Sequence, residues 1–457
     1  MITFTLQEAI DACGGHYHGP PALRKRAIRA IVHDSRKVTD GALFAAIRGE
    51  RTDGHLYMAA AVKSGALAAL CERLPEDESV PAILVESTER ALREIAARYR
   101  GKFDGPLIGV TGSVGKTTTK EMLAAVLEGR FRVHRTAGNF NNELGVPLTL
   151  FGLEAAHEAA VVEMGISHFG EMRRLTQMTR PTMAVFTVIG HSHLEFLHDR
   201  EGVLRAKTEM LEGMAADALV LVNGDDDLLR AADMAGRRVL RYGLREDCEL
   251  RAEGVYTRED GMAMCFDVVM GTRRFPVCVP AYGEHIVYSA LAAAGAGLSL
   301  GLTAAEVTAG LAAFVPAEHR SRIVRAGRCT LVDDCYNASP DSGRLAIRSL
   351  AALPGRKVCI LGDMLELGGD AARLHAELGR FAAENGAQLI IACGPLARHI
   401  DEGASGAGTQ VVTRYFDEKK QLIESLPHLL EPGDAVLVKA SHGMHFEEIA
   451  AAVEALL

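Results

Sequence analysis

The stretch Leu107–Lys120, LIGVTGSVGKTTTK, decides how the rest of the chain is read. Leu107–Val110 is an apolar run of the kind that forms a buried strand. Gly112 and Gly115 free the backbone for a tight loop, and Lys116 opens a segment with Met122, Leu123, Val126 and Leu127 on one helical face. Strand, glycine loop and helix in that order make a phosphate cradle. Backbone N–H groups point inward, the helix N-terminus adds positive potential, Lys116 supplies a cation and the Thr117 hydroxyl can ligate Mg²⁺. The expected ligand is a nucleoside triphosphate on Gly112, Ser113, Val114, Gly115, Lys116, Thr117 and Thr118. The full phosphate-loop pattern asks for one more glycine where Val110 stands, so the match is the shorter TGSVGKTT.

Outward from this loop, 457 residues suffice for several domains, and 48% hydrophobic with 24% charged residues is ordinary for a globular protein. A net charge of −9 without a long basic run argues against a nucleic-acid or membrane-surface binder, so anionic ligands must be held by local groups. The nine cysteines are scattered without a CxxC, and read as reduced core residues. The N-terminus lacks the basic start and apolar core of a signal peptide, and no apolar run reaches the roughly 18 residues needed to span a bilayer. A cytoplasmic protein without membrane insertion is expected.

The apolar strands predict an α/β protein of three domains. Residues 1–100 read as a small α/β domain. Residues 101–315 carry strands at Leu107–Val110, Ala159–Met164, Met183–Ile189 and Ala218–Val222, spaced for a mostly parallel sheet, then an antiparallel appendage between Cys248 and Val279 with turns at Gly254, Gly261 and Gly271. Thr303 with Glu306 predicts a capping box. From 316 to 457 the strands restart at Thr330–Asp334, Lys357–Gly362, Gln388–Cys393, Gln410–Tyr415 and Ala435–Lys439, a doubly wound, Rossmann-like pattern.

Several strands end in polar residues, where open α/β sheets bind ligands. Glu163 could be a Mg²⁺ carboxylate or a surface glutamate. His191 and His193 invite zinc, but no further Cys or His stands at ligand spacing, so a histidine near phosphate or magnesium is the better reading. Lys207, in a helical stretch, would by itself be a solvated lysine. Asn139, Asn141 and Asn142 suit Asx-turns and peptide recognition equally. Asp34, Ser35 and Arg36 alone read as a local cap. Asp333, Asp334, Tyr336 and Asn337, then LGDMLELG at 361–368 and VKASHGM at 438–444, point to a cleft fed by two domains.

TGSVGKTTTK, EMG at 163–165, HLE at 193–195 with Lys207 downstream, DDCYNASPDS and LGDMLELG together resemble the Mur ligases over nearly the whole chain. The resemblance implies an ATP-dependent amide ligase of peptidoglycan precursor synthesis. DSRKVTDGALFAAIRGERTDGH, GNFNNELGVPLTL and YNASP are similar to the branch that joins D-alanyl-D-alanine to a UDP-N-acetylmuramoyl tripeptide through an acyl phosphate. It further implies two Mg²⁺ ions, one on Thr117 and Glu163, the other on His193 and a Lys207 carbamylated by CO₂, with Lys116, Glu163, His193 and Lys207 as the catalytic set. Ser35 and Arg36 would bind the UDP end. Asn139, Asn141, Asn142, Lys439 and Ser441 would face the other substrates, and His285, Asp334, Tyr336 and Asn337 would enclose the nucleotide with Arg320 or Arg322. A monomer is expected.

Three positions depart from the family pattern. After His285, Ile286 and Ser289 stand where the family usually has amides near the base, Lys439-Ala440-Ser441-His442 ends in a titrating group where a fixed cation is usual, and Arg320 and Arg322 compete for one role. The alternatives are another Mur-type or folylpolyglutamate-synthase-like ligase, and a P-loop nucleotide switch. Glu163, His193 and Lys207 count against the switch, because a pure binder has no need of a second metal site.

Overall fold

The computed structural model describes residues 1–49, 52–258, 262–326 and 329–456, so Gly261 lies outside the described residues. Its strands are β1 (His16–His18), β2 (Ala30–Val32), β3 (Ala42–Ala45), β4 (Ala68–Cys71), β5 (Ala82–Leu84), β6 (Leu107–Thr111), β7 (Val133–Arg135), β8 (Ala159–Glu163), β9 (Met183–Phe186) and β10 (Leu219–Asn223). They continue as β11 (Arg238–Gly243), β12 (Leu250–Thr257), β13 (Met264–Met270), β14 (Arg273–Val279), β15 (Arg322–Ala326), β16 (Cys329–Asp333), β17 (Lys357–Gly362), β18 (Leu389–Cys393), β19 (Val412–Phe416) and β20 (Ala435–Lys439).

Three sheets result, of five, nine and six strands, ordered β1-β5-β4-β3-β2, β14-β13-β12-β11-β10-β9-β6-β8-β7 and β15-β16-β20-β17-β18-β19. In the second sheet β6, β8 and β9 are buried along their whole length, as a parallel sheet covered on both faces requires. The chain runs from β6 outward to β7 and β8 on one side and to β9, β10 and β11 on the other. That reversal opens a crevice at the carboxyl end of β6, and the phosphate loop fills it. The helix Lys116–Leu127 packs Met122, Leu123, Val126 and Leu127 in one apolar cluster with Ile108 and Val110 of β6 and Ile286, Val287 and Ala290 of the helix His285–Ser299. The capping box of Thr303 and Glu306 forms as expected.

The expected antiparallel appendage forms as β12–β14, and it is continuous with the central sheet because β12 pairs parallel with β11. Within that hairpin Cys265 faces Cys278 in the strand register and the two form a disulfide. This corrects the expectation of nine reduced thiols: cross-strand register, which scattered cysteines do not reveal, brings two together, and the other seven are free. In the third sheet an additional edge strand, β15, runs antiparallel to β16, while β16 to β20 are mutually parallel.

The helix Thr88–Arg100 joins the first sheet to the second. Tyr99 is fully buried, with its ring edge-on to Phe4 and Phe151, at centroid distances of 5.5 and 5.8 Å. Its hydroxyl donates to Leu153 O at 2.6 Å and accepts from Ile2 N at 2.7 Å, so the polar end of a buried tyrosine is satisfied. Arg100 caps the same joint by donating to Thr179 O at 2.8 Å.

Candidate active site

The carboxyl ends of the second and third sheets face each other across a cleft of about 680 Å³. Most segments that line it follow a parallel strand or open the helix beside one, and Arg320 and Ser321 come from the link before the antiparallel edge strand β15. Ser113–Thr118 follow β6, Glu163 ends β8, His191–His193 follow β9, Asp334–Ala338 follow β16, Leu365–Leu367 follow β17 and Ser441–Gly443 follow β20.

At the loop, Gly112 has φ 149°, and a Cβ there would lie 1.9 Å from Thr187 Oγ1, so no side chain fits. Gly115, at φ 84°, caps the helix that Lys116 begins. Lys116 Nζ donates to Gly112 O at 2.8 Å, holding its charge over the loop. Burial pushes the Lys116 pKa down, Glu163 partly restores it and Arg320 lowers it again.

Glu163 is 1% exposed. Its Oε2 accepts from Thr117 Oγ1 at 2.9 Å and its Oε1 from Asn141 Nδ2 at 2.8 Å. Lys120, equally buried, stands 4.0 Å from Oε2 and donates to Thr136 O at 2.8 Å, while Thr136 Oγ1 accepts from Glu163 N at 3.0 Å. Two of the three asparagines have local partners. Asn141 orients Glu163, and Asn142 accepts from Leu144 N and Gly145 N, turning the chain into the helix Gly145–Phe151. Asn139 lines the cleft.

The third sheet supplies the opposite wall. Lys439 Nζ donates to Asp334 Oδ2 at 2.6 Å and to Asn337 O at 2.9 Å. Ser441 Oγ accepts from Leu365 N at 2.9 Å, fixing the turn after β17. The Tyr336 ring lies between the Arg320 guanidinium, 3.9 Å from its centroid, and the His442 ring, stacked at 5.1 Å. His285 lines the cleft with a buried Nδ1 that has no hydrogen-bond partner, a vacancy a polar ligand atom can fill. Burial holds its imidazole below its ordinary pKa.

Comparison with known proteins agrees with this geometry. The Mur ligase middle domain matches residues 110–297, the Mur ligase glutamate ligase domain matches 319–442, and the Mur ligase family catalytic domain matches 27–100. The chain belongs to the Mur ligase family. It is 35% identical to the UDP-N-acetylmuramoyl-tripeptide–D-alanyl-D-alanine ligase of Bacillus subtilis (strain 168), over 98% of each chain. The MurF crystal structure from Acinetobacter baumannii superposes with a TM-score of 0.90 at 31% identity, covering 99% of both chains. MurF of Thermotoga maritima in complex with ADP superposes at 0.83 and 28% identity, covering 94% of this chain and 99% of that one.

In this Mur ligase the remaining sequence-predicted residues divide. Arg320 lines the cleft, whereas Arg322 lies on the edge strand β15 and pairs with Glu454 at 3.1 Å. Ser35 and Arg36 lie in a 3₁₀ turn after β2 and do not line the cleft; Arg36 is held by Asp34, whose carboxyl this pairing lowers to about 2. Ile286 packs in the core, and Ser289 Oγ accepts from Thr119 Oγ1 at 3.0 Å, so two of the departures from the family pattern face the phosphate-loop helix rather than the cleft. Lys207 is 1% exposed. Burial, and then Lys116, push its pKa well below the usual lysine value.

Two carboxylates that sequence reading passed over hold the histidines after β9. Asp341 accepts from His191 N at 2.6 Å, and Glu366 meets His193 Nδ1 at 2.5 Å. Both lie in motifs already noted, SPDS and LGDMLELG, but Asp341 reads as a helix-start residue and Glu366 as one acid among several. Their position in the first turn after a parallel strand or at the start of its helix was the available signal.

Proposed function

We propose that the protein is an ATP-dependent ligase that joins D-alanyl-D-alanine to a UDP-N-acetylmuramoyl tripeptide in the cytoplasm. The observation that carries this reading is one cleft holding the phosphate loop, the Thr117–Glu163 pair, His193 and the Arg320–Tyr336–His442 stack on two facing domains. The substrates are those of the similar UDP-N-acetylmuramoyl-tripeptide–D-alanyl-D-alanine ligases. No helix among the described residues is long and apolar enough to cross a membrane, which agrees with soluble substrates.

The donor set fits Mg²⁺. Thr117 and Glu163 offer oxygen ligands already 2.9 Å apart, as a hard cation prefers. His193 and Lys207 would hold a second ion, but an ammonium there repels a cation, and Lys207 fits only as an anion. Its depressed pKa favours the neutral amine, whose nitrogen can add to CO₂ with loss of one proton and so exchange a positive group for a carbamate. When bound, the ions offset the charge that moves with the phosphoryl group.

The chain's own groups then act by placement. Lys116 neutralises phosphate oxygens, and loop N–H groups orient them for in-line attack by the tripeptide carboxylate on the γ-phosphorus, which breaks the bond to the β-phosphate and gives an acyl phosphate and ADP. The incoming dipeptide amine then displaces phosphate while the cleft keeps water out. Purified enzyme with ATP and Mg²⁺ tests the reading. Phosphate release that requires the tripeptide and yields the pentapeptide product only with D-alanyl-D-alanine is expected. Steady hydrolysis of ATP without tripeptide would instead mark a nucleotide switch.

A further inference from the structure

One cluster of side chains has no part in the reaction above. His319, Asp333 and Cys335 bring an imidazole nitrogen, a carboxylate and a thiol within 4.8 Å of one another. His319 Nδ1 is 2.8 Å from Asp333 Oδ2, and Cys335 Sγ is 3.1 Å from Asp333 Oδ1 and 3.7 Å from the imidazole. A tetrahedral ion with bonds of about 2.0–2.3 Å spaces its ligands by about 3.3–3.8 Å, so these donors need spread by only about half an ångström.

The fold holds the donors in place. Asp333 ends β16 and Cys335 follows it on the same side, each 2% exposed. His319, in the link between the helix Ala304–Ala312 and β15, has φ 58°, a left-handed conformation unusual for a residue with a Cβ. Its carbonyl accepts from Tyr336 N at 3.1 Å, pinning the link to the same strand end. Among the described residues no lysine or arginine pairs with the Asp333 carboxylate, which has only the imidazole and the thiol for partners. A buried carboxylate is normally paired with a charge or a metal.

We infer that His319, Asp333 and Cys335 form a binding site for a thiophilic divalent cation of the zinc class, with water in the fourth position. Nitrogen and sulfur donors set it apart from the oxygen ligands that suit Mg²⁺. Binding exchanges the thiol proton for the metal: the S–H bond breaks, the metal–sulfur bond forms, the proton goes to solvent and the imidazole binds neutral, with no change of oxidation state. His319 belongs to the link and the other two donors to the third sheet, so an occupied site fastens this joint beside Asp334 and Tyr336.

The test is a titration of metal-free, full-length protein with Co²⁺ followed by Zn²⁺. One equivalent of Co²⁺ with a near-ultraviolet thiolate-to-cobalt band, displaced by Zn²⁺, is expected. Cys335→Ser should remove the band. His319→Ala, at a partly exposed position where the fold can be verified by circular dichroism, should weaken Co²⁺ binding about tenfold or more, at least what a supporting partner of a metal ligand is worth. No thiolate band in the unmodified protein, a band that survives Cys335→Ser, or unchanged affinity in His319→Ala overturns the site.

Discussion

His193 and Glu366, one after β9 and the other after β17, meet across the cleft with Nδ1 2.5 Å from Oε2, and both backbones are left-handed, at φ 53° and 61°. Strained backbone of this kind persists where the surroundings hold it, commonly at functional sites. The contact ties a residue expected to hold a metal to the facing wall of the cleft, and it keeps the Glu366 carboxyl below its usual range through the hydrogen bond with His193.

Glu366→Ala should therefore leave the protein folded, because the carboxylate is half exposed, but raise the Mg²⁺ concentration for half-maximal phosphate release about tenfold, as losing the partner of a metal-bound histidine does. A Mg²⁺ titration of initial rates measures this; an unchanged midpoint would remove Glu366 from the positioning of His193.

Lys207→Ala should lower kcat about a hundredfold or more, the scale of losing one preorganised charge at a phosphoryl-transfer site. Small carboxylates added to the assay should restore part of the rate, and intact-mass analysis of the unmodified protein in bicarbonate should show one added CO₂. A fully active Lys207→Ala variant would contradict the carbamate.

Acid should loosen the β17 turn. His375 is fully buried, with Nε2 accepting from Met364 N at 2.8 Å and Nδ1 2.6 Å from Ala371 O, and burial lowers its pKa from 6.5. The unfolded chain then takes up a proton that the folded one does not, so this histidine's contribution is complete above about pH 6.5 and is lost as pH falls toward the lowered folded value. His33, His134 and His285 shift in the same direction. Thermal unfolding between pH 7.5 and 5.5 should show Tm falling with pH, with a shallower fall in His375→Gln.

Much of this was legible in the sequence because the signals are local. The run Leu107–Val110, the two loop glycines and the apolar face from Met122 to Leu127 determine strand, loop and helix without reference to the rest of the chain. Strand-terminal polar residues located both walls of the cleft, because parallel strands deliver their next residues to one edge. What stayed hidden depends on pairing between distant segments. Arg320 and Arg322 differ only in where the edge strand begins, and β15, reading RIVRA, lacks a buried strand's apolar run. The Cys265–Cys278 link follows from hairpin register, and the roles of Asn141, Asp341 and Glu366 follow from partners 22, 150 and 173 residues away.

The cleft is expected to phosphorylate a carboxylate before the amine arrives. The most direct measurement uses UDP-muramoyl tripeptide labelled with ¹⁸O in the reacting carboxylate, turned over with ATP and D-alanyl-D-alanine, and mass analysis of the phosphate released. The account predicts one ¹⁸O atom per phosphate, carried over when the amine displaces the acyl phosphate. Phosphate free of label, with the pentapeptide still formed, would contradict it.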